Sequence, residues 1–185
     1  MRVIGIIPAR KGSKRLINKN IYPLNGKPLV EYTIQAALNS KYLDKDNIYI
    51  NTDFKEVKDI GLKFNLNIID RPEELSGDNV WTQEVVNHTT THIGDIEEED
   101  IIIILQANSP QINSKVIDEI IDMLINKNLW QVHTVDEELI NNGALQAFKY
   151  KLRNHKGKAN YNGVIITNWV DVHTIEDIKL LEKIL

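Results

Sequence analysis

The chain has 185 residues, of which 42% are hydrophobic and 26% charged, with a formal net charge of −4 and no cysteine. This composition is typical of a globular protein that is long enough to bury a core, and it excludes disulfides, thiolate metal sites and a cysteine nucleophile. Neither the short apolar segment after Arg2 nor the apolar run at 101–105 is long enough for a signal peptide or a membrane span. We therefore expect a cytoplasmic protein with no membrane partner.

The positive charges are concentrated at the start of the chain. Seven of the 22 Lys and Arg residues lie within residues 1–27, which contain no acid, so the remaining residues carry a net charge of −11 against the total of −4. A compact positive region suits a small polyanion, whereas a nucleic acid needs an extended basic face. No aromatic residue is interleaved with these cations before Tyr22, so stacking on single strands is not supported either. We expect no nucleic-acid partner.

Strand-like and helix-like segments alternate along the chain. The apolar patterns predict strands at 3–7, 47–51, 66–70 and 101–107, and helices at 28–40, 54–65, 79–93, 114–126 and 174–185. Ser114 and Thr174 are placed to cap the last two of these helices, and Thr52 or Asp53 the second. Strands that alternate with helices of this kind indicate βαβ units. The sequence therefore predicts a three-layer α/β/α, Rossmann-like fold with a mainly parallel sheet.

Residues 130–168 have a different pattern. Three β-like runs, at 130–135, 143–150 and 163–167, flank a polar, glycine-containing loop at 154–158. We predict that this part forms a small antiparallel excursion, after which the chain returns to the sheet. No repeat or low-complexity tract divides the sequence, and we treat residues 1–185 as a single domain.

The loop after the first predicted strand is strongly basic. Its cations are Arg10, Lys11, Lys14, Arg15 and Lys19. Open α/β sheets bind ligands at the edge where such a loop lies, and backbone N–H groups with cations suit a polyphosphate there. Ala9, Gly12 and Ser13 are small enough for the backbone to approach a ligand, and Gly12 can adopt a positive φ angle. The spacing matches neither a Walker loop nor G-x-G-x-x-G, and the alternative is a basic surface turn.

Several motifs together resemble those of a known family. They are PARKGSKRLINKN and LNGKPLVEYTIQAALNS near the start, then INTD at 50–53, RPEELSGD at 71–78, LQANSP at 105–110, YNGVIIT at 161–167 and the final DVHTIEDIKLLEKIL. Their order and content are similar to the acylneuraminate cytidylyltransferase family, whose members activate sialic, legionaminic or pseudaminic acid with CTP. The resemblance is dense over residues 1–110 and implies a fold of the nucleotide-diphospho-sugar transferase type.

The resemblance implies roles for individual residues. Arg10 and Lys19 match the catalytic cations that hold the CTP phosphates and stabilise the departing pyrophosphate, Arg71 matches the arginine that reads the base, and Gln106 matches a glutamine near the reacting hydroxyl of the sugar acid. With Gly12 of the basic loop, the implied nucleotide site consists of Ala9, Arg10, Gly12, Ser13, Lys19, Asn20, Arg71 and Asp78. These roles are chemically consistent, because displacement at a phosphorus atom depends on positioning and on charge neutralisation.

Three departures from the family pattern affect the metal, the dimer and the sugar pocket. The family's P-T-S-P-L-R is replaced by a sequence with Asn108 and without the arginine, and its two aspartates near the C-terminus by Asp171 and His173. The resemblance implies Mg²⁺ as cofactor with Asp171 as ligand, whereas histidine is a poor magnesium ligand. The shortened 130–168 segment corresponds to the region that builds the homodimer contact and part of the sugar pocket in the family.

Other residues that could carry chemistry have simpler interpretations. His88 and His92 are four residues apart on a predicted helix, but the intervening glutamate of a zincin is absent, and we interpret them as a solvated helix face. Asp53 is interpreted as a helix cap, and Trp81, Trp130 and Trp169 as core or rim packing. His133 and His155 belong to no motif.

The sequence thus predicts a cytidylyltransferase with CTP and a small sugar acid as its partners. Two alternatives stay open. One is a catalytically impaired, nucleotide-binding relative with a regulatory or partner-binding role, suggested by His173 and the shortened segment. The other is a nucleotidyltransferase for a smaller sugar acceptor.

Overall fold

A computed structural model describes residues 1–154 and 161–185 of the protein. Its strands are β1 Val3–Pro8, β2 Pro23–Leu24, β3 Lys27–Pro28, β4 Ile48–Thr52, β5 Asn67–Asp70, β6 Ile101–Leu105, β7 Gln131–Val135, β8 Asn141–Lys149 and β9 Asn162–Ile166. Its α-helices are α1 Leu29–Leu38, α2 Lys55–Lys63, α3 Thr82–Thr90, α4 Ser114–Asn126 and α5 Ile175–Leu181. No helix in this part of the chain is both long and apolar enough to cross a membrane.

The main sheet has seven strands in the order β5-β4-β1-β6-β8-β7-β9. The first four pair in parallel, β8 is antiparallel to both β6 and β7, and β7 is parallel to β9. The prediction of a mainly parallel α/β sheet is therefore confirmed. The β-like runs expected over 130–168 are present as β7, β8 and β9, but they extend the main sheet instead of leaving it, and β8 alone reverses direction.

The layers follow from the alternation of side chains along β1. Val3 and Ile7 point to one face of the sheet and belong to the core that α1, α2 and α4 cover, whereas Ile4 and Ile6 point to the other face, where Val86 of α3 packs. Such strands are buried on both faces, which explains why β1 and β6 are apolar throughout. Helices on both faces of one sheet give the predicted three layers.

A third apolar cluster brings the end of the chain to the loop after β1. Leu16 of that loop and Leu24 of β2 pack against Val172 and against Ile178 and Leu181 of α5. The start of α5 is fixed by Thr174, whose side chain accepts from the backbone N–H of Asp177 while the Asp177 carboxylate accepts from that of Thr174. The predicted cap at Thr174 is confirmed, and this packing places residues 171–173 beside the basic loop.

Two of the predicted caps are wrong. Asn113, and not Ser114, accepts the N-terminal hydrogen bond of α4, from the backbone N–H of Val116. Neither Thr52 nor Asp53 caps α2, since the residue before the helix is Phe54 and no side chain caps it. Both side chains instead contact the loop after β1.

Candidate active site

The carboxyl ends of the central parallel strands open onto a cleft of about 190 Å³. Eight residues that the sequence singled out line it: Arg10, Gly12, Ser13, Lys19, Asn20, Arg71, Asp78 and Gln106. They come from the loops after β1, β5 and β6, which meet at one edge because these strands run parallel in the same sheet, with β1 beside β6 and β5 one strand further out, beyond β4. Ala9 lies beneath the cleft and is 1% exposed, so its backbone supports the site from below.

The loop after β1 is held in place by β4 and by its own asparagine. The Ala9 N–H donates to the Asn51 carbonyl at 3.0 Å, and the Thr52 hydroxyl donates to the Ala9 carbonyl. The Lys11 N–H donates to the Asp53 carboxylate at 2.7 Å, while the side-chain amide of Asn20 donates to the Arg10 carbonyl at 2.8 Å. These bonds position the cationic side chains at the cleft, and they assign Asp53 to the loop instead of to a helix cap.

Arg10 reaches across the cleft to the loop after β5. Its Nη2 lies 2.7 Å from Asp78 Oδ1, and Nζ of Lys14 lies 2.5 Å from Oδ2 of the same carboxylate. Hydrogen bonds from Lys14 and Arg10 hold the pKa of Asp78 below its ordinary value. Arg10 Nη1 also donates to the Ser76 carbonyl at 3.2 Å. The Asp78 carboxylate therefore forms ion pairs with two cations of the basic loop, Arg10 and Lys14.

Lys19 connects the basic loop to the segment before α5. Its Nζ donates to the Val172 carbonyl at 2.9 Å. Burial lowers the pKa of Lys19, and the positive charges of Arg15 and Arg10 act in the same direction, whereas the negative charge of Asp171 opposes the shift. A partly desolvated ammonium group of this kind interacts strongly with an anion that enters the cleft.

Arg71 is the most deeply buried cation of the site, with 8% of its surface exposed. Its Nε donates to Asn51 Oδ1 at 2.8 Å and its Nη2 to the Asn51 carbonyl at 2.9 Å. Burial lowers the pKa of Arg71 to about 10, which leaves the guanidinium charged at neutral pH. Asn51 itself is fully buried. Asn51 was not singled out from the sequence, although an asparagine that directly follows the apolar Ile50 inside a predicted strand was a visible signal.

Gln106 directly follows β6, and hydrogen bonds hold its backbone in place. Its N–H donates to the Ala144 carbonyl at 3.1 Å, and its carbonyl accepts from the Thr33 hydroxyl at 3.0 Å. The side chain lines the cleft. The chain around Gln106 is therefore rigid, which suits a residue that orients a substrate.

Asp171 and His173 form a pair at one edge of the cleft, next to its lining residue Asn108, although neither of them lines the cleft itself. His173 Nε2 lies 2.8 Å from Asp171 Oδ2, and His173 Nδ1 lies 3.0 Å from Nη2 of Arg15. Because a guanidinium only donates, Nδ1 accepts and Nε2 carries the proton that is donated to Asp171. The other carboxylate oxygen of Asp171 accepts from the Asn108 amide. Burial raises the pKa of Asp171, and the nearby His173 and Lys19 limit that rise.

Few side chains near the cleft could hold a divalent cation. Within residues 1–154 and 161–185, no three His, Cys, Asp or Glu side chains are grouped so that they could hold a metal. Asp171 fits as the single protein ligand of a magnesium ion that is otherwise bound by substrate phosphates and water. His173 does not fit this role, because both of its ring nitrogens are engaged by Arg15 and Asp171.

The remaining histidines and tryptophans differ in part from expectation. His88 is not on a solvated helix face, since its ring nitrogen Nδ1 lies 3.0 Å from the side-chain amide of Asn51. Trp81 is 76% exposed, which excludes the core for it, while Trp169 packs against the main core. His133 is half-buried on β7, and His155 lies outside the described residues.

The amino-acid sequence is similar to those of known enzymes that form CMP-linked sugar acids. The chain is 36% identical over 110 residues to the N-acylneuraminate cytidylyltransferase of Streptococcus agalactiae serotype V, covering 60% of this chain and 26% of that protein. It is 35% identical over 115 residues to the CMP-N,N'-diacetyllegionaminic acid synthase of Legionella pneumophila, covering 60% and 47%. The chain thus spans between a quarter and a half of the length of these relatives.

Solved structures share the fold at low sequence identity. A CMP:2-keto-3-deoxy-manno-octonic acid synthetase complexed with CTP has a TM-score of 0.78 at 15% identity, covering 100% of this chain and 98% of that one. A Mycobacterium tuberculosis protein in complex with manganese has a TM-score of 0.73 at 12% identity, covering 100% of both. The cytidylyltransferase family profile matches residues 4–161. The resemblance noted from the motifs is confirmed, and the chain belongs to the cytidylyltransferase family.

Proposed function

We propose that this protein transfers CMP from CTP to a sugar acid of the sialic, legionaminic or pseudaminic type and releases pyrophosphate. The observation that carries the proposal is the convergence of Arg10, Lys19 and Arg71 on one cleft. Three cations from two loops at the carboxyl edge of a parallel sheet suit a nucleoside triphosphate, and the family relationship supports CTP as that nucleotide.

The reaction follows from in-line displacement at the α-phosphorus. A hydroxyl oxygen of the sugar acid forms the new P–O bond, the bond from the α-phosphorus to the bridging oxygen breaks, and its electron pair leaves with pyrophosphate. The proton of the attacking hydroxyl is released to solvent. Arg10 and Lys19 stabilise the negative charge that grows on the leaving group, and Gln106 orients the acceptor.

Binding of CTP requires an exchange of partners at the mouth of the cleft. Arg10 is paired with Asp78, so a triphosphate that binds Arg10 would displace this carboxylate from the cation. Both partners of the ion pair are at least one-third exposed, and such pairs contribute little net free energy. The exchange therefore costs little and leaves Arg10 free for phosphate oxygens.

We further propose that Mg²⁺ acts with Asp171. When bound, the ion supplies Lewis-acid neutralisation of the phosphate charge. Asp171 would hold the ion from the protein side, and the charge of Lys19 next to it would help to align the triphosphate. The manganese complex of the M. tuberculosis protein with the same fold is consistent with a divalent cation in this architecture.

A second candidate function is that of a nucleotide-binding relative with impaired catalysis. Two observations favour it. His173 is hydrogen-bonded to Asp171, the proposed metal ligand. Ile112, which stands where the family carries an arginine, is 4% exposed and belongs to the main core. Such a protein would bind CTP and act through a partner or as a regulatory subunit. A nucleotidyltransferase for a smaller sugar acceptor is a variant of the first function.

The cellular setting follows from the proposed reaction. We propose that the activated sugar acid is a donor for cell-surface polysaccharide and that the protein is cytoplasmic, since its substrate would be CTP. We also propose that residues 1–185 act as one nucleotidyltransferase unit. Relatives form homodimers, but the shortened 130–168 segment corresponds to their dimer region and weakens that expectation for this chain.

The direct test is incubation with CTP, Mg²⁺ and a panel of nine-carbon sugar acids, with pyrophosphate release as the readout. We expect release with at least one acid and none without acceptor. Intact CTP binding without pyrophosphate across the panel would favour the second candidate.

A further inference from the structure

Asn51 holds Arg71 by two groups. The side-chain oxygen and the main-chain carbonyl of Asn51 accept from Nε and Nη2 of Arg71 at 2.8 and 2.9 Å. Among residues 1–154 and 161–185, Nη1 of Arg71 has no hydrogen-bonding partner, and the residue lines the cleft. The clamp therefore determines where the remaining donors of the guanidinium point.

The orientation of the Asn51 amide is fixed on its other side. Since Arg71 can only donate, the atom that faces it is Oδ1, and Nδ2 faces α3. Nδ2 lies 2.9 Å from the Thr89 hydroxyl oxygen and 3.0 Å from His88 Nδ1. The Thr89 hydroxyl donates to the Val85 carbonyl at 2.7 Å, so it accepts from Asn51.

His88 must then accept the second Nδ2 hydrogen. An imidazole accepts at Nδ1 only when it is neutral and its proton is on Nε2. If His88 Nδ1 were protonated, two hydrogen-bond donors, this N–H and the Nδ2 amide of Asn51, would face each other without an acceptor between them. Relief requires rotation of the amide or of the ring, and rotation of the amide would present an NH₂ group to the Nε–H of Arg71.

We propose that His88 is a positioning residue, whose neutral Nδ1 fixes the Asn51 amide and thereby directs Arg71 at the nucleobase of CTP. The proposal rests on the proposed function, because it takes the cleft to be a CTP site. It makes nucleotide recognition dependent on pH through a residue that does not itself line the cleft.

The surroundings of His88 favour its neutral form. Burial lowers the pKa of His88, the charges of His92 and Arg71 act in the same direction, and Glu74 opposes them. His92 lies four residues further along the chain, just beyond the end of α3, with ring centroids 4.7 Å apart, and Arg71 and Glu74 follow β5. The pKa of His88 therefore lies below the ordinary histidine value, which favours the neutral imidazole that the hydrogen bond from Asn51 requires.

The first test compares His88→Asn with His88→Ala. The asparagine side chain can place an oxygen near the position of Nδ1, where it accepts from Asn51 without titrating, whereas alanine removes the acceptor. At about pH 7.5 we expect the wild type and His88→Asn to bind CTP equally, and His88→Ala to bind it roughly 5- to 10-fold more weakly, as expected for one lost hydrogen bond. Tripolyphosphate, which has no base, should bind all three alike.

The pH dependence separates positioning from a structural role. Between about pH 7.5 and 5.5 we expect the wild type to lose roughly fivefold in CTP affinity relative to His88→Asn. Titration of the phosphate cancels in this ratio because both proteins bind the same nucleotide. His133→Asn, which changes a half-buried histidine on β7, should keep the wild-type pH profile.

The Arg71 Nε–H resonance in a ¹⁵N NMR spectrum gives a readout that needs no nucleotide. It should shift with pH in the wild type, stay constant in His88→Asn, and be displaced in His88→Ala. The inference is overturned if this resonance is the same in all three proteins, or if His88→Ala weakens tripolyphosphate as much as CTP. Failure of the wild type to bind CTP at any pH overturns the proposed function and the base-directed role with it.

Discussion

The two sides of the cleft are built in different ways. On the side of the loop after β1, Arg10 is paired with an exposed carboxylate that an anion can replace. On the side of residues 171–173, both carboxylate oxygens of Asp171 are bonded inside the protein, to Asn108 and to His173. The first side is available to a ligand, whereas the second is satisfied by its own neighbours.

This contrast has a consequence for the order of binding. A triphosphate can bind to Arg10 without a metal, because Arg10 needs only to exchange the exposed carboxylate of Asp78 for phosphate oxygens. A metal ion would meet one partly buried carboxylate that is already hydrogen-bonded, and its other oxygen ligands would have to come from substrate phosphates and water. The metal should therefore bind weakly alone and more tightly once nucleotide phosphates supply further oxygens.

Lys19→Ala should have the largest effect on the nucleotide side. A charge-assisted hydrogen bond contributes about 1.5–3 kcal/mol, so CTP affinity should fall roughly 10- to 100-fold, as measured by calorimetric titration. Lys11→Ala removes the same charge from the same loop, but the Lys11 side chain does not line the cleft, and a loss of about threefold or less is expected from the screened field. Equal losses in both variants would mean that charge, and not contact, determines binding.

His173→Asp tests the other side. A second carboxylate in place of the imidazole should raise the affinity for Mn²⁺ in the presence of CTP roughly tenfold, because carboxylates are better ligands for hard cations. Titration followed by electron paramagnetic resonance measures free Mn²⁺ directly. Weaker Mn²⁺ binding by this variant would show that His173 itself is a ligand.

Thr174→Ala probes how α5 holds the Asp171 side in place. Loss of the cap should lower the free energy of unfolding by about 1 kcal/mol and the melting temperature by roughly 2–4 °C. Ser114→Ala is the matched control, because Asn113 caps α4 instead, and its melting temperature should equal that of the wild type. A larger change in the Ser114 variant would contradict the assignment of these caps.

Asp78→Asn should have the smallest effect, and its sign is informative. Removing the carboxylate charge frees Arg10 and Lys14, so tripolyphosphate affinity should rise roughly two- to threefold. Since bonds from Lys14 and Arg10 lower the pKa of Asp78, the ion pair persists at neutral pH and is lost as the pH falls through that lowered pKa. The difference between variant and wild type should disappear there. Weaker binding at neutral pH would mean that Asp78 serves the nucleotide directly.

The fold could largely be predicted because its signals are local. Apolar runs such as β1 and β6 are strands buried on both faces, and their alternation with helices implies a parallel sheet. The caps were harder, because Asn113 and Ser114 are adjacent residues that both favour a cap. The antiparallel character of the part after residue 130 was predicted, but the pairing of β8 with β6, which joins this part to the main sheet, could not be derived, since pairing between distant segments depends on tertiary contacts.

The motifs singled out residues of the cleft but not the bonds that connect them. Arg10 and Lys19 follow β1 and Arg71 follows β5, and the structure brings all three to one cleft at the same edge of the sheet. The hydrogen bonds that link His88, Asn51 and Arg71 connect α3, β4 and the loop after β5. No local sequence pattern encodes such a link. A helix position such as His88 shows only its spacing in the sequence, whereas its role depends on what lies beneath the helix.

The most direct test of the account is calorimetric titration of CTP into the wild type and into the double variant with Arg10→Ala and Lys19→Ala, without added metal. The account predicts saturable binding of one CTP per chain and a loss of at least about 100-fold in the double variant. No CTP binding by the wild type, or equal affinity in both proteins, would contradict it.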